Sequence, residues 1–262
     1  MQNWDKLRRW VMLGIGSVLL TLALTTDHGN MQIEGFFFAL LIGSATWVVL
    51  HFAIAKVVGP LLFGRIWCGW ACWFGMVFDW LPYPHPRYRV PGLIGKLRYA
   101  HFALSALTVV LVWAGLSKQG AVGSSGMVWF VTGLAGYYLI GIAMALIFKD
   151  NRAFCKYLCP LGVLMKGTAR FALLKIDGKA ALCDGCGVCV EMCPMNIRIS
   201  DYILNHQRVL SSECTLCQTC IHVCPTKALG LSLKLDAGGV EHMDYVPPRS
   251  ARTPRNRVKK QA

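Results

Sequence analysis

The chain has 262 residues, of which 55% are apolar and only 15% are charged, and its formal net charge is +14. This balance excludes an ordinary soluble globular domain, which carries more charged residues than this chain does. We attribute the excess of lysine and arginine to membrane topology and to contact with anionic lipid, so nucleic acid is not an expected partner.

Long runs without an acidic or basic charge predict transmembrane helices, because each approaches or exceeds the roughly 17–25 residues that a helix needs to cross a bilayer. The first run is expected to be a retained anchor, since no small-x-small cleavage site follows it. The four predicted spans are Trp10–Thr26, Gly35–Ala55, Tyr99–Ser117 and Met127–Phe148.

Lysine and arginine are concentrated before the first run, between the second and third runs, and after the fourth. By the positive-inside rule, this pattern predicts a multi-pass protein of the bacterial inner (cytoplasmic) membrane with both termini in the cytoplasm. The predicted domains are a membrane part over residues 1–176, a soluble domain over 177–235 and a basic, disordered tail over 236–262 that lies on lipid or a partner.

Eight of the twelve cysteines lie in two motifs of the form C-x2-C-x2-C-x3-C-P, "CDGCGVCVEMCP" and "CTLCQTCIHVCP". This is the spacing of a bacterial ferredoxin with two [4Fe–4S] clusters, in which the fourth cysteine of each motif binds the other cluster. Zinc sites do not require two interleaved quartets that each end in Cys-Pro, and disulfides are rare in the cytoplasm, where this end of the chain is predicted to lie. The motifs therefore predict an α+β 2[4Fe–4S] ferredoxin-like domain. Its ligands are Cys183, Cys186, Cys189 and Cys224 for the first cluster, and Cys214, Cys217, Cys220 and Cys193 for the second.

The other four cysteines lie in two similar segments, "RIWCGWACWFG" and "RAFCKYLCPLG", which are 87 residues apart. Each follows the second span of a pair, so the fold class is an α-helical polytopic membrane protein of four transmembrane helices, built from a duplicated two-helix unit. A pseudo-twofold axis along the membrane normal would bring the cysteine pairs together at the cytoplasmic surface. C-x3-C spacing predicts both sulfurs of a pair on one helix face. An additional Fe–S or metal centre, a redox thiol pair, and simple packing are all open interpretations for Cys68, Cys72, Cys155 and Cys159.

Together the apolar runs, the two C-x3-C segments and the ferredoxin motifs resemble the NapH/MauN family of membrane ferredoxin-type proteins, whose core is shared with NosR-like and CcoG-like proteins. The resemblance covers residues 8–235. It implies oxidation of quinol at the membrane and delivery of electrons to a partner iron–sulfur protein or cytochrome. The family commonly has proline after the second cysteine of each segment, as Pro160 follows Cys159 here, whereas Trp73 follows Cys72.

Polar residues inside spans are candidates for a quinone site. His51 and His101 lie near the cytoplasmic ends of the second and third runs, and an ordinary histidine bonded to a carbonyl or water is the alternative. Haem ligation by this pair is not expected. Weaker candidates for the quinone site are Tyr137, Tyr138, Lys56 and Arg65.

Two functions of different classes follow. The first is a membrane electron conduit, such as a quinol dehydrogenase subunit, whose expected partners are lipid, the quinone pool and other redox subunits. The second is a maturation or regulatory protein that uses its clusters to reduce a metal or a disulfide. A Gly-rich dinucleotide loop is absent from the sequence, so direct binding of NAD or flavin is not expected.

Overall fold

The computed structural model describes residues 2–25, 30–43, 47–86, 89, 92–119, 126–236, 238–239 and 241. These residues are mainly helical. The predicted tail lies almost entirely outside them. In chain order the α-helices are α1 (Gln2–Thr25), α2 (Ile33–Leu41), α3 (Trp47–Phe52), α4 (Gly59–Phe63), α5 (Ile66–Trp70), α6 (Trp73–Phe78), α7 (Leu97–Gln119), α8 (Gly126–Phe148), α9 (Ala153–Tyr157), α10 (Leu161–Ala169), α11 (Val188–Glu191), α12 (Ile199–Leu204) and α13 (Thr219–Val223).

Three of the described helices, α1, α7 and α8, are long and apolar enough to cross a membrane. They correspond to the first, third and fourth predicted spans. Large apolar side chains are exposed on these helices, as expected of surfaces that face lipid. Examples are Val18, Leu104, Leu111, Val128, Leu139 and Ile147.

The predicted second span is not one continuous helix over Gly35–Ala55. Phe36 stacks on Phe52 with ring centroids 4.5 Å apart, which shows that the chain reverses direction between α2 and α3. A continuous helix would separate these residues by about 24 Å. Gly43 follows α2 with φ at 65°, a left-handed conformation that ends helices. Hydropathy alone missed this reversal, since both arms of the hairpin are apolar.

The chain from α3 to α6 supplies the only other apolar stretch of spanning length in the described part. α3 runs through a π-helix, Ala53–Val58, into α4. The helical stretches Trp47–Phe63 and Ile66–Phe78 meet the criteria for a span only as a pair, and they are bent by 98°. A fourth crossing would therefore be a broken one.

The ferredoxin domain contains an antiparallel pair of strands, β1 (Leu174–Gly178) and β2 (Leu229–Leu233), with Leu174 opposite Leu233. Short 3₁₀-helices occur at Gly92–Lys96 and Ala180–Leu182. The sheet packs on a buried core that includes Ile176 and Tyr202. This small α+β arrangement follows directly after α10.

Two tryptophans hold the second cysteine motif of this domain against the membrane part. Trp4 Nε1 of α1 donates to the carbonyl of Cys217 at 3.2 Å, and its ring stacks on His222 at 3.9 Å. Trp70 Nε1, at the end of α5, donates to the carbonyl of Leu216 at 2.9 Å. The second motif is thus the part of the ferredoxin domain that lies against α1 and α5.

A buried carboxylate, Glu213, strengthens the same contact. Arg98 Nη1 lies 2.6 Å from Glu213 Oε1, Arg65 Nη1 lies 3.2 Å from Oε2, and Arg89 is 3.6 Å from Oε2. Burial by itself would raise the pKa of Glu213, but the three arginines hold it at about 2. The carboxylate is therefore ionised and ties the ferredoxin domain to the membrane part.

We expect Glu213→Gln to destabilise the docked domain by about 3 kcal/mol, because it leaves buried arginines without their counter-charge. Thermal unfolding in detergent and protease sensitivity would measure this. Asp201→Asn is the matched control, since Asp201 pairs with Arg198 on the surface of the same domain and should change stability by less than about 1 kcal/mol. Equal behaviour of the two variants would contradict the prediction.

Candidate functional site

One group of ferredoxin cysteines surrounds a cavity at the edge of the domain. Cys183, Cys186, Cys189 and Cys224 all line it. Cys186 is exposed and the other three are half-buried. Four sulfur donors around one cavity are the donor set of a [4Fe–4S] cluster, and they are the same four residues that the spacing predicts for the first cluster.

The second group lies deeper. The sulfurs of Cys193, Cys214, Cys217 and Cys220 interact electrostatically with one another, and Cys220 also interacts with Cys189 of the first group. Burial raises the pKa of Cys193 to about 11 and that of Cys214 to about 12. Because these thiols are otherwise protonated at neutral pH, binding of a cluster has to release their protons.

The two motifs have the same backbone shape, although only the first has glycines at the sharp turns. A left-handed backbone conformation costs a non-glycine residue on the order of 1 kcal/mol. Because non-glycine residues of the second motif adopt this conformation all the same, the turn geometry is required there. The equivalent residues with positive φ are Gly185 (70°) and Leu216 (49°), Gly187 (78°) and Gln218 (60°), and Asn196 (54°) and Lys227 (52°).

The two C-x3-C segments also share one local structure. α5 and α9 are five-residue helices that begin after Arg65 and Arg152, 87 residues apart. The prediction that each cysteine pair lies on one helix is wrong. α5 ends before Cys72, which adopts an extended conformation and begins α6. The second cysteine of each pair thus lies at a break between two helices.

These breaks bring all four cysteines to one place. Cys68, Cys72, Cys155 and Cys159 line a single cavity. Among the described residues, no three histidine, cysteine, aspartate or glutamate side chains lie close enough to bind one metal ion.

The arginine of each C-x3-C segment donates a hydrogen bond to a backbone carbonyl of the other segment. Arg152 Nη1 donates to the carbonyl of Cys68 at 2.9 Å, and Arg65 Nη2 donates to the carbonyl of Gly162 at 2.7 Å. A Cβ added at Gly75 would lie 3.1 Å from Arg152 Nη1, and one at Gly162 would lie 2.5 Å from Arg65 Nη2. The glycine that ends each motif therefore leaves space for the arginine of the other copy.

Three cations border the four-cysteine cavity: Lys56, Arg65 and Arg152. Lys56 belongs to the π-helix, an element frequent at functional sites, and its Nζ lies 4.4 Å from the centroid of the Trp67 ring. Arg152 Nη2 lies 2.6 Å from Asp79 Oδ2, which Arg8 Nη1 also contacts at 2.8 Å. The cavity is thus bordered by positive charge and sulfur.

The ferredoxin domain closes one side of this cavity. Met195 and Thr215, which border it, lie two residues after Cys193 and one residue after Cys214. A Cβ added at Gly69 would lie only 2.3 Å from the carbonyl oxygen of Thr215. The four-cysteine cavity is therefore adjacent to the second cysteine group.

Two family models match the chain. A 4Fe-4S dicluster domain matches residues 174–238, and a 4Fe-4S binding domain matches both 45–91 and 132–177. The second model therefore covers both C-x3-C segments.

Relatives match over most of the length. An uncharacterised protein of Methanocaldococcus jannaschii is 29% identical over 80% of this chain and 81% of its own. The ferredoxin-type protein NapH of Haemophilus influenzae is 27% identical, over 76% of this chain and 70% of its own. The methylamine utilization ferredoxin-type protein MauN of Paracoccus denitrificans is 28% identical over 57% of each chain.

The chain is similar to the NapH and MauN ferredoxin-type proteins. Its matches place it among iron–sulfur electron-transfer proteins of the membrane. No solved structure gives a significant match.

The two candidate histidines of this NapH/MauN-like chain have different surroundings. The His51 ring meets the edge of Trp67 with centroids 5.4 Å apart. His101 Nδ1 lies 2.8 Å from the carbonyl oxygen of Leu158, and its Nε2 lies 3.5 Å from the hydroxyl of Tyr137. Tyr138, a weaker candidate, donates instead to the carbonyl of Trp73 at 2.8 Å.

Sequence reasoning missed two polar residues beside His101. Glu34 accepts hydrogen bonds from Ser105 and Tyr137. The available signal is an acidic residue, Glu34, directly before the predicted span Gly35–Ala55.

The crossing arginines generate a prediction with a matched control. Gly162→Ala should destabilise the NapH/MauN-like fold by about 2 kcal/mol, because the new methyl group displaces the Arg65 guanidinium. Gly167 lies in the same helix with no atom within 4 Å of an added Cβ, so Gly167→Ala should leave stability unchanged or slightly higher.

Thermal unfolding and the rate of thiol labelling at Cys159 would compare the two variants. We expect faster labelling in Gly162→Ala only. A Gly162→Ala variant as stable and as protected as Gly167→Ala would disprove the packing role of the glycine.

Proposed function

We propose that this protein takes electrons from a membrane quinol and passes them through iron–sulfur centres to a partner redox protein. The observation that carries the proposal is the four-cysteine cavity, which lies between the membrane helices and the second ferredoxin cysteine group. This position favours an electron path over a purely structural anchor.

The four-cysteine cavity suits an additional Fe–S centre. A cluster bound by four thiolates is an anion, and Lys56, Arg65 and Arg152 border the cavity to offset that charge. Bound there, such a centre would accept and release single electrons. The residues that would hold it are Cys68, Cys72, Cys155 and Cys159.

The arrangement supports an order of centres within the protein. The ligands of the two [4Fe–4S] clusters would be the two cysteine groups that the motif spacing predicts. The second group lies next to the four-cysteine cavity, and the first group includes the exposed Cys186. With clusters bound, we therefore propose that the second cysteine group would take up electrons from the side of the four-cysteine cavity and the first would release them near Cys186.

The proposed orientation puts both termini and the ferredoxin domain in the cytoplasm of a bacterium. The basic loops support it, as does the duplication implied by the matching C-x3-C segments. A reporter active only in the cytoplasm should be active when fused after Ala262, whereas a reporter that needs export should be inactive there. The opposite result would reverse the proposed topology.

Iron content and quinol-driven reduction test the conduit. Anaerobically purified protein should contain about twelve irons, and Cys68→Ser or Cys155→Ser about eight, because each cubane cluster holds four. A short-chain quinol should reduce the clusters of the wild type and should not reduce the remaining clusters of either variant. Dithionite should still reduce the ferredoxin clusters, as followed by EPR.

Ser17→Ala is the matched control, because Ser17 lies on α1 and contacts Met76, away from the cavity. About eight irons in the wild type, labelled thiols at the C-x3-C segments and no response to quinol would instead support the maturation or regulatory function.

A further inference from the structure

A polar cluster lies among the membrane helices next to the four-cysteine cavity. We call it the Glu34 cluster: Glu34 of α2, His101 and Ser105 of α7, and Tyr137 of α8. Ser105 Oγ donates to Glu34 Oε1 at 2.9 Å, and the Tyr137 hydroxyl donates to the same oxygen. Carboxylates at membrane depth are costly and mark functional sites.

Among the described residues, one proton-accepting atom of this cluster has no hydrogen-bond donor and a second has only a distant one. Glu34 Oε2 is buried without a hydrogen-bond partner there. His101 Nδ1 faces a carbonyl oxygen, that of Leu158, so it must carry the ring proton and leave Nε2 as an acceptor. The nearest group to Nε2 is the Tyr137 hydroxyl at 3.5 Å, whose proton is directed to Glu34.

The cluster is close to the four-cysteine cavity. Leu158, whose carbonyl oxygen is hydrogen-bonded to His101, directly precedes Cys159. The Tyr137 ring packs on Phe154 with centroids 5.6 Å apart, and Phe154 borders the cavity. Glu34, His101 and Tyr137 are only half-buried, so part of each residue is open at the surface of the helices.

We propose that the Glu34 cluster binds the quinol head group and takes both of its protons. This inference rests on the proposed quinol oxidation. One quinol hydroxyl gives its proton to the Glu34 carboxylate and the other gives its proton to His101 Nε2. The two electrons leave one at a time to the Fe–S centres, and quinone is the product. Both protons then pass to water, which restores the two acceptors.

The test uses the purified holoprotein, short-chain ubiquinol and menaquinol analogues, and the variants Glu34→Gln and His101→Gln. Glu34→Gln keeps the size and the acceptor oxygen for Ser105 but loses the base. Loss of a general base lowers rates by 10²–10⁴-fold, so we expect quinol-driven cluster reduction to fall by about 100-fold. Reduction by dithionite should be unchanged.

Binding of the matching quinone analogue, measured by tryptophan fluorescence, distinguishes chemistry from packing. A quinone has no hydroxyl proton to give, so its Kd should change by less than about threefold in Glu34→Gln, whereas structural damage would weaken it together with dithionite reduction. Thr132→Ala is the matched control, because Thr132 is exposed on α8 and bonds to its own helix. It should behave as the wild type.

Quinol-driven rates of Glu34→Gln and His101→Gln equal to those of Thr132→Ala would overturn the inference while leaving the conduit intact. Loss of quinone binding and of dithionite reduction in both variants would also overturn it, in favour of a structural role. A wild type that no quinol reduces would instead overturn the proposed function itself.

Discussion

Two buried arginines hold the candidate site together. Arg65 and Arg152 each reach across to the backbone of the opposite C-x3-C segment, over a glycine that leaves them space. Their counter-charges come from elsewhere, Glu213 in the ferredoxin domain and Asp79 after α6. A buried guanidinium without its partner costs several kcal/mol. The two segments, the membrane helices and the ferredoxin domain therefore have to assemble together.

This assembly separates two kinds of chemistry over a short distance. Sulfur and positive charge border the four-cysteine cavity, where they suit an electron carrier. The carboxyl and imidazole groups of the Glu34 cluster lie beside it, among the apolar helices, where the further inference has them accept protons. The ring of Phe154, which borders the cavity, packs on the ring of Tyr137, a member of the cluster. Oxidation of a quinol needs both kinds of acceptor within reach of one molecule, so this juxtaposition supports the proposed function and the further inference alike.

Several features could be predicted from the sequence because they depend on local spacing. The ferredoxin motifs predicted which cysteines surround the first cavity, and the 87-residue repeat predicted that the other four meet. The second span was predicted wrongly, since hydropathy is the same for a straight helix and for a hairpin such as that of α2 and α3. The helical placement of Cys68 and Cys72 also failed, because Cys72 begins a new helix.

By itself, the sequence determined the cysteine spacing that predicts iron–sulfur ligands, the apolar character of the membrane part and the repeat that relates its two cysteine segments. These are properties of residue type and spacing, which do not depend on how the chain folds. Only the tertiary structure decided that Arg65 and Arg152 cross, that Lys56 borders the sulfurs, and that Glu34 meets Tyr137. The hydrogen bonds among these contacts join residues 84 to 103 positions apart, and they form because a buried polar or charged group must find a partner wherever the fold provides one.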